Sequence, residues 1–231
     1  MMGRLANLTR RINTKLWTVR RKVAADDQAV IDQYFQQAPV RKLHIGCGET
    51  VLDGWLNTDY EPRARNAVFL DATARYPFAG ESFDYIYSEH MIEHISYPQG
   101  QQMLRECFRV LKTGGRIRVV TPNLSAILDL YRSDKSKIQQ DYIDWSTKSF
   151  IHTAPYSEDT FVINNFVRNW GHTFIYDEKI LRYSMEQAGF AGITNCGLNA
   201  SVDPALRDLE HVQRLPDGFL ELESLTLEGK K

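Results

Sequence analysis

The stretch Leu43-His44-Ile45-Gly46-Cys47-Gly48, with Asp59 eleven residues after its second glycine, constrains this chain more than any other feature. A short apolar strand that runs into a Gly-x-Gly turn lets a ligand lie against bare backbone, because no Cβ stands in the way. A carboxylate closing the next strand, Leu56-Asn57-Thr58-Asp59, can accept both hydroxyls of a ribose. Together they point to a nucleoside-containing cofactor. The spacing also discriminates among such cofactors. A dinucleotide fold needs Gly-x-Gly-x-x-Gly at the start of a full helix, with the acid about 20 residues on. Here position 51 is Val and only residues 49–54 separate the turn from the second strand, too few for a helix whose N-terminus could face a pyrophosphate.

Downstream of this motif, strand and helix signals alternate. Strands are expected at Arg41–Ile45, Trp55–Asp59, Ala67–Asp71, Phe83–Ser88 and Arg116–Val120, the last after a Lys112-Thr113-Gly114-Gly115 turn. Pro98–Val110 reads as an amphipathic helix with Leu104, Phe108 and Leu111 as its apolar stripe, and Asp177–Ala188 as another, stopped by Gly189. Two further strands are expected near Ile193–Leu198 and Leu220–Leu227. This alternation predicts an α/β fold with a doubly wound, mostly parallel sheet. Its ligand belongs over the carboxyl ends of the strands, where Gly46, Asp59, Asp71 and Ser88 fall. Residues 123–175 interrupt the pattern with an aromatic segment that can fold over the same edge as a helical lid.

Ahead of the main domain, Leu5, Leu8, Ile12, Leu16, Val19 and Val23 recur at helical spacing among seven basic residues, with no acidic residue before Asp26. This basic amphipathic helix can dock on its own domain, or lie on an anionic membrane surface or a partner through residues 1–25. Pro39 breaks any helix over Asp26–Gln37, which divides the chain into a helical extension, 1–38, and a domain, 39–231. The net charge is −1, so residues 26–231, with 21 basic and 29 acidic groups, carry −8. That charge opposes binding to a phosphate backbone, and no nucleic-acid partner is expected. No apolar run reaches the roughly 20 residues of a membrane span, and no signal peptide is evident. Cys47, Cys107 and Cys196 are widely spaced, which argues against a disulfide framework or a structural zinc site. A cytoplasmic protein is expected, at the inner membrane surface if the basic helix makes that contact.

In order, these motifs resemble those of class I S-adenosylmethionine-dependent methyltransferases, specifically the type 11 group. The resemblance rests on Leu43–Gly48, Asp59, Phe69-Leu70-Asp71-Ala72, Phe83–His94 and Arg109–Gly115, and covers about residues 41–122. It implies a Rossmann-like methyltransferase fold of seven strands with the last antiparallel, and S-adenosyl-L-methionine as cofactor. It also implies that Gly46, Cys47 and Gly48 admit the cofactor to the backbone, that Asp59 takes the ribose and that Asp71 and Ala72 meet the adenine. Ser88, Glu89 and His90 would border the methionine moiety. Many members carry an acid where His44 stands, so His44 reads either as a packed histidine or as a substitute contact to the cofactor's amino end. Thr50 stands where a third glycine is often found.

A sulfonium methyl is already activated, so the protein's task is mainly to hold the acceptor close and in line. A hydroxyl acceptor also needs a base, and His90, His94, His152 and His172 are the candidates, with His90 first and His172 as a second imidazole at the same edge. His90 and His94 do not form His-Glu-x-x-His, Glu93 is expected to point elsewhere, and no metal is expected. Tyr142, Trp145, Phe166, Arg168 and Trp170 either fill the lid's own core or line an acceptor pocket. The acceptor is expected to be a small molecule or glycan, as in cell-surface polysaccharide pathways, or else a quinone or other small aromatic. A cofactor-binding scaffold without activity is the alternative of another class.

Overall fold

A computed structural model describes residues 26–64 and 66–231. The basic helix read over residues 5–23, with its docking or membrane role, lies outside the described residues. Seven strands form one sheet: β1 (Lys42–Ile45), β2 (Leu56–Asp59), β3 (Ala67–Phe69), β4 (Phe83–Glu89), β5 (Leu111–Pro122), β6 (Ala191–Asn195) and β7 (Ser224–Lys230). Their order is β3-β2-β1-β4-β5-β7-β6, with β1 to β5 parallel and β7 antiparallel to both its neighbours. The strand order reverses at β1, and the crevice over the carboxyl ends at that switch point is where an open α/β sheet binds ligand.

Local sequence explains the helices that flank this sheet. Helix α1 covers 26–37, and α2 (Tyr97–Val110) starts at Ser96, whose backbone N–H is taken by Gln99 Oε1 at 2.9 Å. The buried face of α2 runs through Met103, Leu104, Cys107 and Val110, rotated from the expected stripe, because Leu111 already belongs to β5 and Phe108 packs edge-on against Phe190. Between β5 and β6 come α3 (Leu124–Asp129), α4 (Lys137–Phe150), α5 (Asp159–Arg168) and α6 (Glu178–Ala188), and α7 (Phe219–Glu223) precedes β7. Asp177 caps α6 by accepting the Ile180 N–H, and Gly189 ends it at φ 109°. A Cβ at Gly189 would also lie 2.8 Å from the Phe108 ring, so glycine is required there twice over.

Several boundaries differ from the sequence reading, among them β3, which ends at Phe69 instead of Asp71, and β6, which spans Ala191–Asn195 instead of Ile193–Leu198. The Lys112–Gly115 turn lies inside β5 as a bulge, since Phe83 pairs with Leu111 and Tyr85 with Arg116, and Lys112 Nζ reaches Asp84 at 2.8 Å. Leu220 belongs to α7, so β7 begins only at Ser224. Helix α1 is no separate extension: Val30, Ile31, Tyr34 and Phe35 pack on the main core, and the Tyr34 hydroxyl donates to Lys42 O at 2.9 Å and accepts its N–H at 2.6 Å. Among the described residues, the expected division between residues 38 and 39 therefore runs through one packed unit.

The two faces of the sheet are covered differently. Helices α1, α2 and α6 bury Leu43, Ile45, Ile86, Ile117 and Val119 on one face. On the other, Trp55, Tyr87 and Val120 pack against Leu198, Leu206 and Leu209 of an irregular segment instead of a long helix. Arg118, fully buried in β5, holds that segment. Its Nε and Nη2 grip Glu210 at 2.7 and 3.0 Å, Nη1 meets Glu228 of β7 at 2.6 Å, and the remaining two N–H groups reach the carbonyls of Ala200 and Gly197. All five guanidinium donors are used.

Arg118→Met leaves Glu210 and Glu228 buried without their cation, and a loss of about 3–5 kcal/mol in unfolding free energy is expected in urea titrations. His44 provides a second test. Burial on the loop-covered face holds its imidazole down to about 4 from the usual 6.5, with Nδ1 on Asn57 Oδ1 at 3.0 Å. The unfolded chain takes up this proton first as pH falls, so the contribution of neutral His44 is complete above pH 6.5 and drops by about 3 kcal/mol by pH 4. Unfolding free energy measured across that window is expected to flatten in His44→Gln.

Candidate active site

Two clefts open over the carboxyl ends of the strands, and the turn after β4 is the wall between them. That turn is set by His90, which adopts φ 47° although it is not glycine, followed by a 3₁₀ turn over Ile92–His94. Backbone strain of this kind persists only where its surroundings enforce it. Here the His90 N–H is held by Val120 O at 2.8 Å, and its Nε2 by Ser224 Oγ at 3.1 Å.

The first cleft has a volume of ≈ 460 Å³ and is lined by Ile45, Gly46, Asp59, Tyr60, residues 70–73, Met91, His94, Ile95 and Gln99. Gly46 stands at φ 73°, and a Cβ there would collide with Met91. The Gly46 and Cys47 N–H groups both donate to Thr58 O, at 2.9 and 3.0 Å, which fastens the turn to β2. Asp59 Oδ2 accepts the Gly48 N–H at 2.9 Å and Oδ1 the Glu61 N–H at 2.8 Å. A carboxylate offers about four acceptor positions, so two remain for a ligand. Asp71 Oδ1 is fixed by Thr73 N and Oγ1.

Of the residues expected at the cofactor, Gly46, Asp59, Asp71 and Ala72 line this cleft, and Gly48 joins it through Asp59. Ser88 lies beside Ile45 in the sheet, buried, its Oγ without a hydrogen-bond partner among the described residues. Three expectations are corrected. His44 points to the opposite face of the sheet, its ring 5.1 Å from that of Tyr87, because side chains alternate along β1 and Ile45 takes the cleft side. The Cys47 thiol is buried, pushed up to about 11 by desolvation and then by Asp59, and it does not line the cleft. Glu89 lies on the Tyr87 side, accepting that hydroxyl at 3.2 Å with Arg214 Nη2 at 3.5 Å.

The second cleft, ≈ 280 Å³, lies under the aromatic segment. Its rings form an unbroken series: Trp145 meets Phe150 at 5.2 Å, Phe150 meets Trp170 at 5.2 Å, Trp170 meets His172 at 5.6 Å and His172 meets His94 at 5.2 Å. Tyr142, Trp145, Phe166 and Trp170 line it, and so do His90, His94 and His172, while Tyr142 and Phe166 are at the same time buried in the segment's own core with Trp145 packed against it. His94 borders both clefts. Arg168 and His152 are exposed outside it, and the cation in the cleft is Arg214 from the segment before α7.

Glu93 does not point away, as expected of it, but is fully buried in the wall. Its Oε1 lies 3.4 Å from His90 Nδ1 and 3.8 Å from His94 Nε2, while Oε2 accepts from Thr121 Oγ1 at 3.1 Å. Burial alone would raise this carboxyl, but the facing imidazoles of His90 and His94 bring it below the ordinary value. Its carbonyl accepts the Thr173 and Phe174 N–H groups, which returns the aromatic segment to the wall and delivers His172. Burial also lowers His172, whose Nδ1 is 2.6 Å from Phe166 O. Glu223, beneath the Tyr142 hydroxyl, is raised by burial and likewise lines the cleft. A charged pair, Glu93-His94, set between Ile92 and Ile95 is the sequence signal that could have found Glu93; Arg214 and Glu223 gave none.

Among the described residues no helix is long and apolar enough to cross a membrane. Residues 43–119 match a family model described as a methyltransferase domain. No curated protein matches the sequence. Among solved structures, a S-adenosylmethionine-dependent methyltransferase from Archaeoglobus fulgidus is 17% identical, with 92% of this chain and 94% of that one covered at a TM-score of 0.50. One from Thermotoga maritima is 19% identical over 83% and 82% at 0.47, and one from Mesorhizobium loti 13% identical over 83% and 91% at 0.47. Residues 43–119 thus carry the match to a methyltransferase domain, and the fold as a whole is shared with the Archaeoglobus fulgidus S-adenosylmethionine-dependent methyltransferase.

Proposed function

We propose that this methyltransferase alkylates a hydroxyl of a sugar-like small molecule or glycan held in the aromatic cleft, at the wall formed by His90, Glu93 and His94. The observation that carries this reading is that His94 borders both clefts, so a ligand in each would meet there. S-adenosylmethionine supplies an activated methyl group, and the chain's residues hold the partners. Gly46 keeps the floor of the first cleft free of a Cβ, Asp59 has acceptor positions left for two ribose hydroxyls, and Asp71 and Ala72 border the far end. Ser88, with its unpartnered buried hydroxyl, is suited to the polar end of the methionine moiety. His44, Cys47 and Glu89 have no part in this assignment.

The walls of the second cleft favour the acceptor class. Flat aromatic rings suit the apolar faces of sugars and of quinones alike, but His90, Glu93, His172, Arg214 and Glu223 give this cleft a polar floor that a quinone has few groups to satisfy. Its ≈ 280 Å³ is close to the lower end of small-molecule sites. Residues 123–175 act as the lid that excludes water from this floor. His90, on the wall that faces the second cleft, is suited to take up an acceptor proton, directly or through water.

Calorimetry tests the cofactor site: Asp59→Ala is expected to weaken S-adenosylmethionine binding by about 100-fold, from two charge-assisted hydrogen bonds lost. Unchanged affinity would refute the assignment. Trp170→Ala is expected to raise KM for a nucleotide-sugar or lipid-linked glycan acceptor about 10-fold or more, with the S-adenosylmethionine dissociation constant unaltered. A screen in which only quinones are methylated would overturn the acceptor class.

A further inference from the structure

We propose that Glu93, His94 and His172 bind one divalent metal ion of the Zn²⁺ type in the wall between the two clefts. Each residue offers a donor atom, and the three atoms lie within 4.8 Å of one another. Two imidazole nitrogens and one carboxylate oxygen are the donor set of an open three-ligand site, which leaves a position for a water or substrate oxygen.

The state of Glu93 points to a cation independently of this grouping. Its side chain is fully buried, and Oε1 accepts no hydrogen bond among the described residues, although histidine nitrogens stand 3.4 and 3.8 Å away. A buried carboxylate oxygen left in that state is costly, and a metal ion would satisfy it. The outer contacts fit as well. His172 Nδ1 lies on the Phe166 carbonyl at 2.6 Å, so that nitrogen carries the hydrogen and Nε2 keeps its lone pair for a metal. Glu93 Oε2 is oriented by Thr121 Oγ1.

Metal bonds of about 2.0–2.2 Å set tetrahedral donors about 3.4 Å apart. The 3.8 Å between His94 Nε2 and Glu93 Oε1 needs only a small contraction, and His94, with a side chain 38% exposed, is free to make it. His90 stays outside the set because its ring nitrogens are not among the donor atoms that lie within 4.8 Å of one another, although its Nδ1 is 3.4 Å from Glu93 Oε1. The pattern eludes a search for His-Glu-x-x-His because two ligands are adjacent in a 3₁₀ turn and the third is brought in by the backbone bonds of Thr173 and Phe174 to Glu93.

The chemical consequence rests on the reading of the clefts as cofactor and acceptor sites. An acceptor hydroxyl coordinated at the open position gives up its proton to water near neutral pH. Its oxygen then forms the O–C bond to the methyl carbon as the S–C bond breaks, and the sulfonium leaves as a neutral thioether.

The test uses the full chain stripped with EDTA, titrated with Zn²⁺ in a calorimeter and with Co²⁺ by visible absorption. One Zn²⁺ per chain and the d–d bands of a low-coordinate Co²⁺ site are expected. His172→Ala is expected to weaken Zn²⁺ by about 100-fold or more while S-adenosylmethionine still binds, and His90→Ala is expected to leave Zn²⁺ binding intact. Absence of Zn²⁺ binding by the wild type, or equal binding by His172→Ala, overturns the site. Both titrations are run on one preparation: S-adenosylmethionine binding without Zn²⁺ sinks the metal alone, and Zn²⁺ binding without S-adenosylmethionine sinks the cofactor assignment alone.

Discussion

The buried guanidinium of Arg118 is the constraint on which the unusual half of this fold depends. With residues 46–55 too short to carry a helix back over the sheet, the face bearing His44, Trp55 and Tyr87 must be covered by something else. The segment that covers it brings only a few apolar side chains, Leu198, Leu206 and Leu209. Apolar burial of that size does not specify one path for a loop. Five hydrogen bonds from one cation, shared among Glu210, Glu228 and two carbonyls, do specify it. A buried ion cluster adds little net stability over an apolar filling, so its contribution is uniqueness of the loop's course.

The same logic recurs in the wall between the two clefts, with a carboxylate at its centre. Glu93 uses its carbonyl to fix the return of the aromatic segment and its side chain to face His90, His94 and Thr121. Three stretches far apart in the chain, the turn after β4, the end of β5 and the residues before α6, converge on this one buried group. The lid has its own core, in which Ile127, Leu130, Tyr142, Ile143 and Phe166 pack together, so it is a small structured layer whose edge is tied to the wall.

Much of the sheet was legible because its strands are apolar, short and closed by glycine or acid, and because parallel pairing follows from alternation. The first cleft was legible for a related reason: Gly46, Asp59 and Asp71 lie in local motifs within a few residues of strand ends. What was missed depends on tertiary placement. Period-two alternation decides that Ile45 and not His44 faces the cleft, but the residues alone do not say which face that is. Glu93 next to His94 gave no hint of sharing a site with His172, since their approach is made by backbone bonds. Arg214 takes the place expected of Arg168 because α5 turns Arg168 outward. That helix α1 packs on the main core was not legible, because Pro39 breaks the chain's path without breaking its packing.

That His94 borders both clefts has a thermodynamic consequence. A side chain that two ligands both touch can take only one position at a time, so occupancy of one cleft biases the other. Any factor by which a bound acceptor alters the affinity for S-adenosylmethionine must be matched by an equal factor in the reverse direction. With the two clefts occupied as proposed, they would be halves of one linked equilibrium, and the imidazole of His94, which borders both, would be the part of the protein through which that linkage passes.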